Sequence, residues 1–218
     1  PSPIKLFFKE AKPMNNGLYR RFSKRALDCC AALAALIVLS PVLLILWAWI
    51  KLDSPGPVLF KQKRVGADKR HFMIYKFRTM RVDTPKDTPT HLLENPERFI
   101  TRSGRFLRKS SLDELPQLFN ILKGEMSLVG PRPALWNQYD LLSERDRYGA
   151  NALRPGLTGL AQISGRDELP IPQKARLDGE YVKLCSLRED LSILLKTAVG
   201  VVRMSGVVEG RRDDPDGE

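Results

Sequence analysis

Between Cys29 and Ile50 the chain carries twenty-two residues without a charge, and Ser40-Pro41 stands in the middle of them. As one helix the run spans roughly 33 Å, enough for a bilayer core of about 30 Å. Pro41 cannot supply the N–H that would bond the carbonyl of Ile37, and its ring crowds the same turn, so a kink is expected. The hydroxyl of Ser40 can bond back to an upstream carbonyl and soften that defect. Arg20, Arg21, Lys24 and Arg25 precede the run, and Lys51, Lys61, Lys63 and Arg64 follow it. Lysine and arginine favour the cytoplasmic side, so both ends prefer the same face. Broken at Ser40-Pro41, the helix has two arms of about 16 Å, each half the core thickness. On these residues alone, a kinked spanning helix and a re-entrant hairpin stand level. Trp47 and Trp49 suit an interfacial depth in either.

The 218 residues hold 36 Lys+Arg against 25 Asp+Glu, a formal charge of +11 that calls for an anionic partner. Nucleic acid, anionic lipid and phosphorylated small molecules all qualify, although the aromatic interleaving of single-strand binders is sparse. Two of the three cysteines lie inside the apolar run, which argues against a disulfide framework and for a reducing compartment. Two histidines leave little material for a histidine-rich zinc site or a Ser-His-Asp triad. Residues 1–13 precede Met14, which reads as a native start, and are expected to be a foreign leader. Residues 14–52 form the basic leader and apolar segment, read as retained rather than cleaved because it ends in bulky "LWAWIKL". Residues 53–206 make one domain of ordinary size, and 207–218 a polar, disordered tail.

"VLFKQKRVG" and "HFMIYKFRTM", joined by "GADKR", predict a β-hairpin. "DTPKDTPTHLLENPE" reads as a loop. Helices are expected at 103–109 and 111–122, the second closed by Gly124, then a short strand in "EMSLVG". Another helix is expected over 134–147, followed by a loop in "RPGLTG" and an extended "LAQISGR". Two last helices cover 172–184 and 187–204. Leu191, Leu194, Leu195, Ala198, Val199 and Val202 form an apolar stripe on the second, fit for core or membrane surface, and it leaves room for a homodimer.

"RKSSLDELPQ" is the sharpest chemical signal. Ser111 to Glu114 fits a capping box, in which Glu114 would bond back to the backbone of Ser111 and Asp113 would complement the helix dipole. The surroundings suggest more: Arg102, Arg105, Arg108 and Lys109 lie upstream, and "GPRP" follows. Arginines at a helix start make a phosphate-binding environment. A carboxylate can attack a phosphoryl group only if the negative charge on both is offset, by arginines or a divalent cation. One of Asp113 and Glu114 could attack while the other orients or holds a metal. Pro131 and Pro133 fix the backbone around Arg132. Taken singly, Arg132 reads as a solvated arginine in a rigid turn, and Lys76, Arg78, Arg154, Arg166 and Asp178 as ordinary surface or paired charges.

The Ser-Pro-broken helix, "KFRTM", "RKSSLDELPQLFNILKGEMSLVGPRP" and "RPGLTGLAQISGR", in this order, resemble the bacterial sugar transferases, the monotopic phosphoglycosyl transferases that begin glycoconjugate assembly. The resemblance covers about residues 21–202. It implies an α/β, mostly helical fold: a re-entrant membrane helix-break-helix set by Ser40 and Pro41, then a compact cytoplasmic domain with a small β-hairpin and interfacial amphipathic helices. It further implies transfer of a phospho-sugar from a UDP-sugar to a polyprenyl phosphate at the bacterial inner membrane, with Mg²⁺. Asp113 would be the nucleophile, releasing UMP through a covalent intermediate, and Glu114 would assist at the metal. Arg108 and Arg132, flanked by Pro131 and Pro133, would bind phosphate or nucleotide, supported by Lys76, Arg78, Arg166 and Asp178. The partners would be both substrates and membrane phospholipid, not nucleic acid. The alternative from another class is a basic membrane adaptor without catalysis, which should tolerate neutralisation of Asp113.

Overall fold

The computed structural model describes residues 19, 23–84, 96–165 and 169–202. The leader, residues 85–95 of the segment expected to be a loop, Arg166 and the tail lie outside the described residues.

Helix α1 runs Lys24–Asp53 with Pro41 inside it. Its arms, Lys24–Val38 and Ser40–Asp53, are bent by 64° away from a straight line. Ser40 Oγ donates to the carbonyl of Ile37 at 2.8 Å, filling the acceptor that Pro41 leaves unbonded. Each arm buries residues four apart: Asp28 and Ala32 on the first, Leu46 and Ile50 on the second. Between them Leu33, Ile37, Val38, Val42, Leu44 and Ile45 are exposed, as is Trp47 just after Leu46. No single described helix is long and apolar enough to cross a membrane; the bent pair meets the length and composition only together.

Strands β1 (Leu59–Val65) and β2 (His71–Phe77) form the expected antiparallel hairpin. Alternation along β2 buries Phe72 and Ile74 and puts Lys76 on the same inward face. Helix α2 (Arg102–Ser110) starts under the cap of Thr101, whose side chain accepts from the N–H of Gly104 at 2.9 Å.

The single helix expected over 111–122 is broken. Ser111 adopts φ 57°, Leu112–Glu114 form one 3-10 turn, and α3 begins only at Gln117–Lys123. Pro116 supplies the reason, since it has no N–H to bond back to Leu112. The capping box does not form: the Ser111 side chain makes no cap hydrogen bond. Gly124, at φ 87°, closes α3 as expected.

Strand β3 (Ser127–Val129) pairs in parallel with β4 (Gly156–Thr158), so the expected "RPGLTG" loop is partly a strand. The two segments approach so closely that a Cβ on Gly156 would lie 2.1 Å from the nitrogen of Gly130. Helix α4 (Tyr139–Asp146) starts later than expected, because Ala134 and Leu135 are buried beside β1 and Val65 N–H bonds the Ala134 carbonyl at 3.0 Å. Helix α5 (Leu160–Ser164) replaces the extended segment expected in "LAQISGR". Burial of Leu160 and Ala161 against Val129, Leu177, Tyr181 and Ile193 decides its conformation.

Helices α6 (Ile171–Leu184) and α7 (Leu187–Val202) form as expected. On α7 the stripe divides: Leu194 packs against the core, whereas Leu191, Leu195 and Val199 are exposed. Among the described residues the fold is mostly helical, with two two-stranded sheets.

Both ends of α1 are tied to this one body. Arg25 donates to the carbonyls of Ile121 and Leu122 at the end of α3, the latter at 2.9 Å, and Lys24 pairs with Asp190 on α7. Asp28 accepts from Ser127 Oγ at 2.6 Å and from the N–H of Leu128 at 3.2 Å. At the other end Asp53 accepts from the N–H and hydroxyl of Ser103, at 2.9 and 2.8 Å.

Candidate active site

The turn between α2 and α3 presents Asp113 and Glu114. On either side of the acidic pair, Leu112 and Leu115 pack onto Leu46, Ile50, Val58, Phe77 and Leu107. Two of those residues belong to the second arm of α1, so the apolar helix forms the floor of the acidic turn. The two carboxylates remain 14% and 17% exposed.

Three cations converge on this turn. Lys76 Nζ lies 2.8 Å from Glu114 Oε1 and 4.0 Å from Asp113 Oδ2. Arg132 Nη2 reaches the same Glu114 oxygen at 3.2 Å. Arg108, in the last turn of α2, adds positive charge near Asp113. Glu114 is thus an ion-pair centre, not the helix cap that its spacing from Ser111 suggested.

The two acids are driven apart electrostatically. Burial pushes Asp113 up to about 6, a shift eased by Lys76 and aggravated by the negative charge of Glu114. Glu114 is as deeply placed, but Lys76 and Arg132 outweigh burial and hold it down at about 2.

Every carbonyl of Pro131, Arg132 and Pro133 is bonded. Pro131 accepts from Gly156 N–H at 2.8 Å, Arg132 from Arg145 Nη2 at 3.0 Å, and Pro133 from Arg64 Nη1 at 2.9 Å. Pro131 and Pro133 are buried, while the Arg132 side chain is 42% exposed.

Lys76, Arg108, Asp113, Glu114 and Arg132 are therefore gathered around one turn, a grouping that only the family resemblance implied. Arg78 is placed elsewhere: its guanidinium is buried and donates to the carbonyls of Ser54 and Pro55 and to Ser54 Oγ, bracing the exit of α1. Asp178 is buried behind the site, paired with Arg145 at 2.7 Å. Sequence reasoning missed Arg145 and Arg64. Arg145 stands in "SERDR", which carries no signal beyond a charged helix surface, and Arg64 was read only as a flanking charge.

For a metal, the site offers two adjacent carboxylates, and no group of three or more metal-ligating side chains gathers among the described residues. That donor set suits Mg²⁺, which commonly takes one or two carboxylates and completes its shell with substrate phosphate and water.

The chain matches the family model for bacterial sugar transferases over residues 19–204. It belongs to the bacterial sugar transferase family. It is 39% identical over 200 residues to an undecaprenyl-phosphate galactose phosphotransferase of Salmonella typhimurium, covering 85% of this chain and 42% of the relative. Identity to an undecaprenyl-phosphate glucose phosphotransferase of Komagataeibacter xylinus is 40% over 205 residues, 89% of this chain and 38% of the other. The chain thus spans about two-fifths of these relatives. With the uncharacterized sugar transferase EpsL of Bacillus subtilis it shares 41% over 184 residues, and there the match covers 84% of this chain and 89% of the relative.

Proposed function

We propose that this protein transfers a sugar phosphate from a UDP-sugar to a polyprenyl phosphate at a membrane surface, with Asp113 as the nucleophile. The observation that carries the reading is the split between the two acids. Glu114 is neutralised by Lys76 and Arg132, while Asp113 stands farther from Lys76 and is raised to about 6. A carboxylate raised in this way is more basic than an ordinary one and still ionised at neutral pH. The family membership and the names of the relatives support the same transfer.

In this reading an Asp113 carboxylate oxygen attacks the sugar-bearing phosphorus, and the bond from that phosphorus to the oxygen bridging it to the uridine-side phosphate breaks. UMP leaves with the electron pair. A phosphate oxygen of the polyprenyl phosphate then attacks the same phosphorus, breaking its bond to Asp113 and regenerating the carboxylate. The sequence is ping-pong. Lys76, Arg108 and Arg132 offset the charge that would otherwise repel an anionic nucleophile from a diphosphate. Mg²⁺, held by Asp113 and Glu114, would supply further neutralisation of the phosphate oxygens.

A re-entrant α1 serves this chemistry. Its two ends dock on one body while the apolar residues around the bend are exposed, which supports both ends lying on one side of the bilayer. The site would then sit where a soluble nucleotide sugar and the phosphate of an embedded lipid meet, on the cytoplasmic face of the bacterial inner membrane.

The test is nucleotide release from a panel of UDP-sugars with Mg²⁺ and polyprenyl phosphate. UMP from the wild type and none from Asp113→Asn is the expected result. UDP as the product would replace the reading with ordinary glycosyl transfer, and equal activity in the variant would remove Asp113 from its role.

A further inference from the structure

Behind the acidic turn lies a buried ion pair that touches neither carboxylate. Arg145 on α4 and Asp178 on α6 are 5% and 1% exposed. Arg145 Nε donates to Asp178 Oδ2 at 2.8 Å, and Nη2 lies 2.7 Å from the same oxygen as an ion pair. Such a pair is poor value for stability alone, because apolar residues of similar size commonly serve as well. The same Nη2 also donates to the carbonyl of Arg132 at 3.0 Å.

That carbonyl is a sensitive place to hold. Pro131 and Pro133 have fixed φ, and Arg132, as the residue before Pro133, is held to extended backbone, so the little freedom left in the turn is a narrow range of ψ at Arg132. Its ψ sets the carbonyl direction and, with it, how the turn carries the Arg132 side chain toward Glu114. The Arg132 carbonyl takes its donor from outside the turn, from Arg145, and Asp178 orients that donor. Arg64 does the same for the next carbonyl, with Nε and Nη2 of its guanidinium steadied by Gln62 Oε1 at 3.1 and 2.6 Å.

We infer that Arg145 and Asp178 are positioning residues that aim Arg132 at the acidic turn, and that Asp178 does not contact substrate. The inference rests on the phosphotransfer reading only in its kinetic readout. Asp178 thereby acquires a role distinct from the substrate-side support suggested by the family resemblance.

The experiment is a double-mutant cycle on the full chain in its membrane or detergent form. Arg145→Met with Asp178→Leu replaces the pair by apolar groups of similar size, which avoids stranding a buried charge. In an otherwise wild-type background, kcat/KM for UMP release should fall about 10- to 100-fold, the scale of a misplaced catalytic group. In an Arg132→Ala background the same pair of changes should cost about 2-fold or less, because no guanidinium remains to be aimed. An equal loss in both backgrounds would overturn the inference in favour of a general structural role.

A second measurement needs no substrate. Amide hydrogen exchange over 130–135 should accelerate in the apolar pair while α4 and α6 keep their protection. Unchanged exchange in the turn would refute the positioning role. Absence of UMP release from wild type, with any sugar, would refute the phosphotransfer reading alone. Arg145→Lys supplies a conservative check: lysine retains a donor for the Arg132 carbonyl or for Asp178, so its activity should fall between wild type and the apolar pair.

Discussion

Lys76 sits 2.8 Å from Glu114 and 4.0 Å from Asp113, and attraction weakens with distance while burial penalises both charges. Asp113 therefore comes to about 6, above the ordinary aspartate value near 3.9. If the ionised form attacks, kcat/KM for UMP release should fall tenfold per unit below the pH at which Asp113 protonates, about 6 at most, because Mg²⁺ held there would favour the carboxylate. A profile still flat at about pH 3, below the ordinary aspartate value, would mean that Asp113 does not have to be ionised. The same shift has a consequence for stability with the opposite sign from the usual acid. A carboxylate raised in the fold stabilises fully below its unfolded value, and that contribution is lost as pH rises through about 6. Asp113→Asn should thus abolish transfer yet stabilise the protein at pH 7, by about 3 kcal/mol at most. The gain should vanish below about pH 4, where Asp113 is protonated folded or unfolded. Thermal melting of both proteins at the two pH values measures it, and an asparagine variant no more stable at pH 7 would show that the cations fully offset burial.

Among the elements, β2 carries Lys76 into the site, and one buried side chain steadies its outer edge. Asn120 on α3 accepts from the N–H of Tyr75 at 3.0 Å and donates to the carbonyl of Met73 at 2.8 Å. It also donates to Glu125 Oε2 at 2.7 Å. It stands in for the neighbouring strand that this edge lacks. Asn120→Ala leaves those backbone groups unpaired and should cost about 2–3 kcal/mol in denaturant unfolding, with activity falling as Lys76 loses its setting. A loss under about 0.5 kcal/mol would mean that water replaces the amide. Nothing in "LPQLFNILK" marks this asparagine, whereas the hairpin, α2, α6 and α7 follow from local pattern and were legible. The parallel β3–β4 pair and the helical "LAQIS" were not, because distant packing around Val129 and Ile193 fixes them. At the site, Asp113, Glu114 and Arg132 announced themselves by motif. The exchange of a Ser111 cap for the Lys76 and Arg132 partners of Glu114 depends on contacts 38 and 18 residues away, beyond any local pattern.

At the scale of the whole molecule, the proposed re-entrant topology rests on α1. A straight helix of this length would reach roughly 45 Å, which would carry its two ends to opposite sides of a bilayer. The 64° bend brings Lys24, Arg25 and Asp28 at one end, and Asp53 at the other, onto the same body. A spanning arrangement would have to break one of these sets of contacts, and would move Lys24 and Arg25 away from the side that basic residues favour. Ser40 and Pro41 hold the balance. Proline removes the N–H for Ile37, and the serine hydroxyl satisfies the carbonyl that is left. Ser40→Ala with Pro41→Ala restores the regular backbone bond and removes the substitute, so the helix regains a straight alternative. Epitopes at both termini, probed with protease in sealed inside-out vesicles, read the result. The wild type should expose both to protease outside the vesicle. The double variant should protect the N-terminal epitope in a measurable fraction of molecules and lose transfer activity in proportion, since a molecule in the spanning form has lost the second-arm floor beneath Leu112 and Leu115 or the ties of the first arm. Protection of one epitope in the wild type itself would reject the re-entrant arrangement. An unchanged topology in the variant would mean that the docking contacts at the two ends, rather than Ser40 and Pro41, hold the hairpin closed.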